Sequence, residues 1–152
     1  MRKIAPDRLA EIISAIFILV FVYAAVSKWM DIQRFHDVLA ESPLIKPWAG
    51  LVSQSLPAIE LAIATLLLIP ATRLTGLRLS FLTMLLFTAY LGYMLVFIPN
   101  MPCSCGGILN NMSWTQHFIF NVLLTTLSAL GIYFQKSHQV FIAINRNSRI
   151  PV

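Results

Sequence analysis

Charged residues are scarce in this sequence. Only 11% of its 152 residues are Asp, Glu, Lys or Arg, whereas 58% are hydrophobic. A soluble globular domain carries about 25% charged residues, so this composition argues against a soluble domain. The formal net charge is +5, but the Lys and Arg residues lie in short stretches between apolar runs. Because they form no basic patch or nucleic-acid-binding motif, a nucleic-acid partner is not expected.

The apolar residues form four runs that are long enough to cross a lipid bilayer, which needs about 20 mostly apolar helical residues. These runs cover residues 12–29, 48–69, 77–98 and 114–134. The sequence therefore predicts an all-α integral membrane protein, with one membrane domain over residues 1–152 that forms a four-transmembrane-helix bundle. Between the first two runs, Phe35, Val38 and Leu39 stand at helical spacing. This spacing predicts a short interfacial helix after the first span.

The positions of Lys and Arg predict the orientation of the bundle, because cytoplasmic segments carry an excess of these residues. Most of them occur in the N-terminal segment, between the second and third runs, and around the C-terminal tail, residues 137–152. The connection between the first two runs also has basic residues, which its acidic residues balance: Lys28, Arg34 and Lys46 against Asp31, Asp37 and Glu41. The segment between the third and fourth runs, residues 99–115, has no charged residue. Both termini and the tail are therefore predicted to be cytoplasmic, and the uncharged segment is predicted to face outward.

The uncharged segment contains the only two cysteines, Cys103 and Cys105. A disulfide between residues so close is tight and closes too small a loop to stabilise the fold much. Strained or exposed disulfides are the labile ones, so on an oxidising face this pair predicts a dithiol that cycles with a disulfide. His117, one turn into the fourth helix, is a candidate to stabilise a thiolate or move its proton. A hydrogen bond within the bundle is the other interpretation of His117.

Two other interpretations of the cysteines stay open on the residues alone. Thiolates and thioethers select Cu(I), and a Cu(I) site could take its ligands from a set of nearby side chains. These are Met101, Cys103, Cys105, Met112 and His117. The remaining interpretation is a structural disulfide or two unreactive thiols.

Four polar residues inside the predicted spans are candidates for binding a cofactor. Glu60 is an acidic residue well inside the second span, where ionisable groups usually face the bundle interior or a partner. Lys28 either neutralises Glu60 or extends to the interface. Asn121 is predicted to hydrogen-bond between helices. Tyr90 and Tyr93 either line a quinone site or pack within the bundle.

Four stretches of the chain resemble the DoxX-like and MauE group of redox-associated membrane proteins, in the versions found in Bacteroidota. They are residues 23–28 (YAAVSK), 57–60 (PAIE), 102–107 (PCSCGG) and 113–117 (SWTQH). The resemblance implies a four-helix bundle in the bacterial inner membrane, with the cysteine pair on the periplasmic face. MauE is implicated in the maturation of a disulfide-rich periplasmic dehydrogenase subunit, and DoxX relatives are linked to quinone-coupled sulfur oxidation.

The layout is also similar to vitamin K epoxide reductase, whose active cysteines precede the fourth helix of a bundle. That family has a C-x-x-C motif and a second outward pair, whereas this chain has C-x-C and no second pair. The resemblance therefore implies a thiol-disulfide oxidoreductase, linked to a membrane quinone, whose redox partner is a separate periplasmic thioredoxin-like or disulfide-containing protein.

A non-enzymatic function is the alternative. The short connections leave little surface for a substrate site, and the C-terminal tail mixes apolar and basic residues that can bind a partner or the membrane. The chain would then be an accessory subunit of a larger envelope membrane complex.

Overall fold

The computed structural model describes residues 6–97 and 113–147, and of residues 6, 7, 114, 138 and 141–147 it describes the backbone alone. Within these ranges the chain forms helices and no strand. The helices are α1 (Pro6–Met30), α2 (Ile32–Glu41), a one-turn 3-10 helix (Lys46–Trp48), α3 (Ala49–Leu68), α4 (Arg73–Phe97) and α5 (Trp114–Asn147).

Four of these helices, α1, α3, α4 and α5, contain a stretch long and apolar enough to cross a membrane. The stretches are Arg8–Met30, Lys46–Leu68, Arg73–Phe97 and Thr115–Ser137. The predicted all-α bundle of four transmembrane helices is therefore confirmed, and the chain is a multi-pass membrane protein in a lipid bilayer. The predicted short helix after the first span is also confirmed, and it is α2.

Several hydroxyl side chains inside the spans donate hydrogen bonds to carbonyls of their own helices. Ser14 donates to the Ala10 carbonyl at 2.7 Å, and Thr126 donates to the Val122 carbonyl at 2.9 Å. Thr88 on α4 donates to the Met84 carbonyl at 2.7 Å and also lies 3.1 Å from the Thr125 hydroxyl on α5. Since lipid offers no hydrogen-bond partner, these contacts allow polar residues in the spans at low cost.

The four long helices stand around a common axis in the order α1, α3, α4, α5. Their shared core is apolar and includes Phe17 and Phe21 from α1, Leu67 from α3 and Leu77 from α4. Gly76 allows α4 to approach α3 closely, because a Cβ atom there would lie 3.1 Å from the Leu67 backbone nitrogen. Small residues at such contacts are the usual means of close helix packing in membranes.

Helix α2 covers one end of the bundle. The Asp31 carboxylate caps the start of α2 by accepting a hydrogen bond from the Arg34 N–H at 3.3 Å. Phe35 and Leu39 are buried against Ala49 and other apolar residues of α3, whereas the opposite face of α2 is charged and exposed. We call this end, where α1 and α4 end and α3 and α5 begin, the α2 end.

Helix α5 continues beyond the predicted fourth span. It has 34 residues and ends at Asn147, a length of about 51 Å compared with a hydrocarbon core of about 30 Å. The first part of the predicted tail, residues 137–147, therefore continues the helix that contains the predicted fourth span. The physical reason is that residues 132–147 contain no Gly or Pro to end a helix.

Candidate functional site

An ion pair connects α1 and α3 inside the bundle. The Lys28 ammonium donates to Glu60 Oε1 at 2.7 Å and to Glu60 Oε2 at 3.0 Å. The Glu60 side chain is 1% exposed and that of Lys28 is 15% exposed. Removing two charges from water is costly, and the two hydrogen bonds to the carboxylate offset part of that cost. Of the two interpretations of Lys28, the structure supports the one in which it neutralises Glu60.

Helix α2 helps to enclose the Lys28 ammonium. The Lys28 nitrogen lies 5.7 Å from the centre of the ring of Phe35, a residue of α2, and at this distance the ring face attracts a cation. The third contact of the ammonium is a long one, 3.3 Å to the Ala24 carbonyl on α1. One Lys28 N–H is therefore less firmly bound than the two that contact Glu60.

The start of α5 is fixed by a capping box, which places His117 in the first helical turn. The Ser113 N–H donates to Gln116 Oε1 at 2.9 Å, and the Gln116 N–H donates to the Ser113 hydroxyl at 3.2 Å. The spacing of these two residues predicts this reciprocal pair. The next residue after Gln116 is His117, whose own N–H donates to the Ser113 carbonyl at 3.0 Å.

His117 is 9% exposed. Its Nδ1 atom is buried and has no hydrogen-bond partner among the residues that the structure describes. Buried ring nitrogens are normally paired, so this atom is a candidate contact for a group other than the described protein.

Asn121 lies one turn after His117 and is also buried. Its Nδ2 donates to the His117 carbonyl at 3.0 Å, within α5. The sequence predicts an interhelical role for Asn121, and this hydrogen bond instead lies within one helix. A short polar side chain in a helix often bonds back to the preceding turn in this way.

A cavity of about 700 Å³ lies within the α2 half of the bundle. All five α-helices contribute to its wall, which is mostly apolar. The polar side chains in the wall are Tyr23, Lys28, Glu60, Tyr90, His117 and Asn121. This combination of volume, apolar wall and few polar groups is typical of a small-molecule site.

The cavity extends to the lipid-facing surface of the bundle. Leu19 on α1 and Leu86 on α4 both line it, yet they are 71% and 62% exposed. An apolar molecule dissolved in the bilayer can therefore reach the cavity from the side without passing through water.

The structure brings together some of the sequence-predicted site residues. Glu60, Tyr90, His117 and Asn121 all line the cavity. Tyr93 does not line it, and its ring packs on Phe97 with 4.9 Å between the ring centres.

The predicted cysteine pair and the methionines near it are not among these cavity residues. Met101, Cys103, Cys105 and Met112 lie outside the described residues. In residues 6–97 and 113–147, no three His, Cys, Asp or Glu side chains are grouped so as to hold a metal ion. Of the predicted Cu(I) ligand set only His117 is described, so the Cu(I) interpretation stays a prediction.

Sequence reasoning did not assign several residues of the cavity wall. On α4 they include Met84, Phe87 and Leu91, which share one face with Tyr90. Their spacing of three or four residues is the signal that could have identified this face. On α2, Phe35 and Leu39 were recognised as one apolar face but not as part of a site.

The family model described as "Methylamine utilisation protein MauE" matches residues 6–134. This range begins with α1 and ends within α5, at the last residue of the predicted fourth span, and it includes all the cavity-lining residues named above. No curated protein and no solved structure matches the chain.

Proposed function

The chain belongs to the MauE family, and from this premise we propose that it is a thiol-disulfide redox protein of the membrane. In this proposal Cys103 and Cys105 exchange electrons with a partner protein outside the bilayer. The DoxX-like part of the resemblance stays a prediction. The observation that best supports the proposal is the cavity at the α2 end, where buried ionisable groups surround an apolar space.

The cavity and the cysteine segment are connected through the helices α4 and α5. The segment that carries them joins the end of α4 to the start of α5, and both of these helix ends lie at the α2 end. His117 lies only four residues after Ser113, where the described chain resumes. Buried ionisable groups beside a cavity are common at functional sites, although structural ion pairs also occur there.

The proposed reaction is a thiol-disulfide exchange. A thiolate of the partner protein attacks the Cys103–Cys105 disulfide and forms a mixed disulfide, which the partner's second thiol resolves. Two S–H bonds of the partner break and its S–S bond forms, while the S–S bond of this chain breaks and two S–H bonds form. His117 is the proposed group that takes up or returns the thiol proton, because it is the described histidine nearest in sequence to the pair.

The distribution of basic residues supports a location for this reaction. It favours cytoplasmic termini, and the uncharged cysteine segment would then face the periplasm across a bacterial inner membrane. Disulfides form and persist in that compartment. The proposed partner is a thioredoxin-like or disulfide-containing periplasmic protein.

The redox state of the pair in intact cells tests this function. Cells are equilibrated with increasing external reductant, quenched with acid and alkylated with a mass tag that counts free thiols. We expect the pair to shift between disulfide and dithiol across the physiological range, and the Cys103→Ser or Cys105→Ser variant to accumulate a mixed disulfide with a second protein.

Ser104→Ala is the matched control, because it changes the residue between the cysteines and retains both thiols. It should titrate as the wild-type protein does. A pair that stays in one state over the whole range, with no mixed disulfide in either cysteine variant, would contradict the redox function and favour the accessory-subunit alternative.

A further inference from the structure

The cavity restricts what can occupy it. Its wall is mostly apolar and its volume is about 700 Å³, so the occupant has a large apolar body and few polar atoms. Leu19 and Leu86 place part of the wall at the lipid-facing surface. The occupant is therefore a molecule that is soluble in the bilayer.

The polar part of the wall offers a donor and an acceptor side by side. The Lys28 ammonium has one N–H that makes only the 3.3 Å contact with the Ala24 carbonyl. The Glu60 carboxylate beside it is an acceptor. Such a pair can form a hydrogen bond with an oxygen atom that accepts in one chemical state and donates in another.

We propose that this cavity binds a membrane quinone, with one ring oxygen beside Lys28 and Glu60. The quinone carbonyl would accept a hydrogen bond from the Lys28 ammonium, and the quinol hydroxyl would donate one to the Glu60 carboxylate. His117 lines the same cavity and has an unpartnered Nδ1 among the described residues. It is the second polar group available to the ring. A lipid acyl chain could fill the volume but would use none of these polar groups.

Quinone binding deepens the proposed function, on which it rests for its electron donor. When the Cys103–Cys105 dithiol is oxidised, two S–H bonds break and one S–S bond forms, which releases two electrons and two protons. The quinone accepts both electrons and both protons, and its two carbonyls become the two hydroxyls of a quinol. The exchange is balanced without any other reactant.

Binding is measured with the full-length protein in phospholipid nanodiscs and decylubiquinone as the probe. Quinone retained by empty nanodiscs of the same lipid is subtracted as partitioning. We expect saturable binding at one quinone per chain. A phospholipid acyl chain in the cavity, rather than a quinone, would give only the partitioning found in empty nanodiscs and would overturn the proposal.

Two variants test the location of the site. Leu56→Trp adds bulk to the cavity wall, and the double variant Lys28→Met/Glu60→Met removes both charges and leaves neither one unpaired. Leu56→Trp removes cavity volume that the quinone would fill, and the double variant removes one or two hydrogen bonds to it. Each should weaken quinone binding by about tenfold or more. Leu51→Trp is the control for bulk, since Leu51 lies on the same helix, is exposed and does not line the cavity. It should bind as the wild type does.

The cysteine variant separates this inference from the function on which it rests. Cys103→Ser/Cys105→Ser should bind decylubiquinone with wild-type affinity, because the cavity wall is unchanged. If Leu56→Trp binds as well as wild type, the quinone site is overturned, whatever the cysteines do in cells. If binding is saturable and sensitive to Leu56→Trp but the cysteines stay in one redox state in cells, the quinone site stands and the thiol function fails.

Discussion

The ion pair between Lys28 and Glu60 makes the stability of the fold depend on two residues together. Replacement of Lys28 alone leaves a carboxylate that is 1% exposed and has lost its cation. We therefore expect Lys28→Met to destabilise the protein by about 3–5 kcal/mol. Glu60→Met should cost less, because the long Lys28 side chain can extend toward the interface. The double variant should be nearly as stable as the wild type.

Reversible unfolding of the detergent-solubilised protein with increasing SDS measures these free energies of unfolding. Lys46→Met is the control, since it removes an exposed lysine of the 3-10 helix and should change stability by less than about 0.5 kcal/mol. Additive effects of the two single replacements would show that the ion pair does not stabilise the native bundle.

Single residues also show what could be predicted from the sequence and what could not. Glu60 was recognised because a carboxylate in an apolar run needs a specific partner. Tyr90 and Tyr93 could not be distinguished, because they lie less than one helical turn apart and only the rotation of α4 decides which one faces inward. The structure places Tyr90 in the cavity wall and packs Tyr93 on Phe97.

The contact between α3 and α4 depends on the absence of a side chain at Gly76. A Cβ atom at this position would lie 3.1 Å from the Leu67 backbone nitrogen, which cannot move without its helix. We expect Gly76→Ala to lower the free energy of unfolding by about 1–3 kcal/mol, since α4 must move away from α3. The same SDS titration measures this change.

Gly50→Ala is the matched control for this contact. Gly50 is also close to the start of a helix, but a Cβ atom there would meet nothing within 4 Å. Because alanine favours a helix more than glycine does, Gly50→Ala should leave the stability unchanged or raise it by up to about 1 kcal/mol. Equal destabilisation by both replacements would show that the close approach at Gly76 is not the cause.

At the scale of elements, the periodic apolar pattern was a reliable guide and the helix ends were less so. The spacing of Phe35 and Leu39 correctly predicted α2 and its buried face. The sequence pattern does not indicate where α5 ends, because a change from apolar to mixed composition marks the end of a span and not the end of a helix. Only a residue that disfavours helical backbone ends the helix itself.

For the whole molecule, the orientation in the membrane is a prediction that labelling can test. In a Cys103→Ser/Cys105→Ser background, Glu41→Cys places a thiol at the α2 end, and Ala71→Cys places one at the opposite end. Both positions are exposed. An impermeant maleimide added to intact spheroplasts should label Glu41→Cys and spare Ala71→Cys until the membrane is permeabilised. The reverse pattern would show that the termini face outward.

The fold of the whole chain followed from its composition and apolar runs, since length and hydrophobicity alone determine which segments can cross a bilayer. The cavity did not follow from them. Its wall takes residues from five helices, and the outermost of them, Leu19 and Leu124, are 105 positions apart in the sequence. Their convergence depends on how each helix is rotated. The resemblance to the MauE family, based on four short motifs, was confirmed over residues 6–134.

The ion pair between α1 and α3 also bears on how the protein is made. During synthesis α1 is available to the membrane before α3, and it carries the cation that the Glu60 carboxylate needs. Inserting a helix with an unpaired carboxylate into lipid costs free energy, and a cation that is already in the membrane lowers this cost. The first two spans are therefore best regarded as one unit of membrane insertion, a hairpin in which the Lys28 and Glu60 charges neutralise each other, onto which α4 and α5 assemble later.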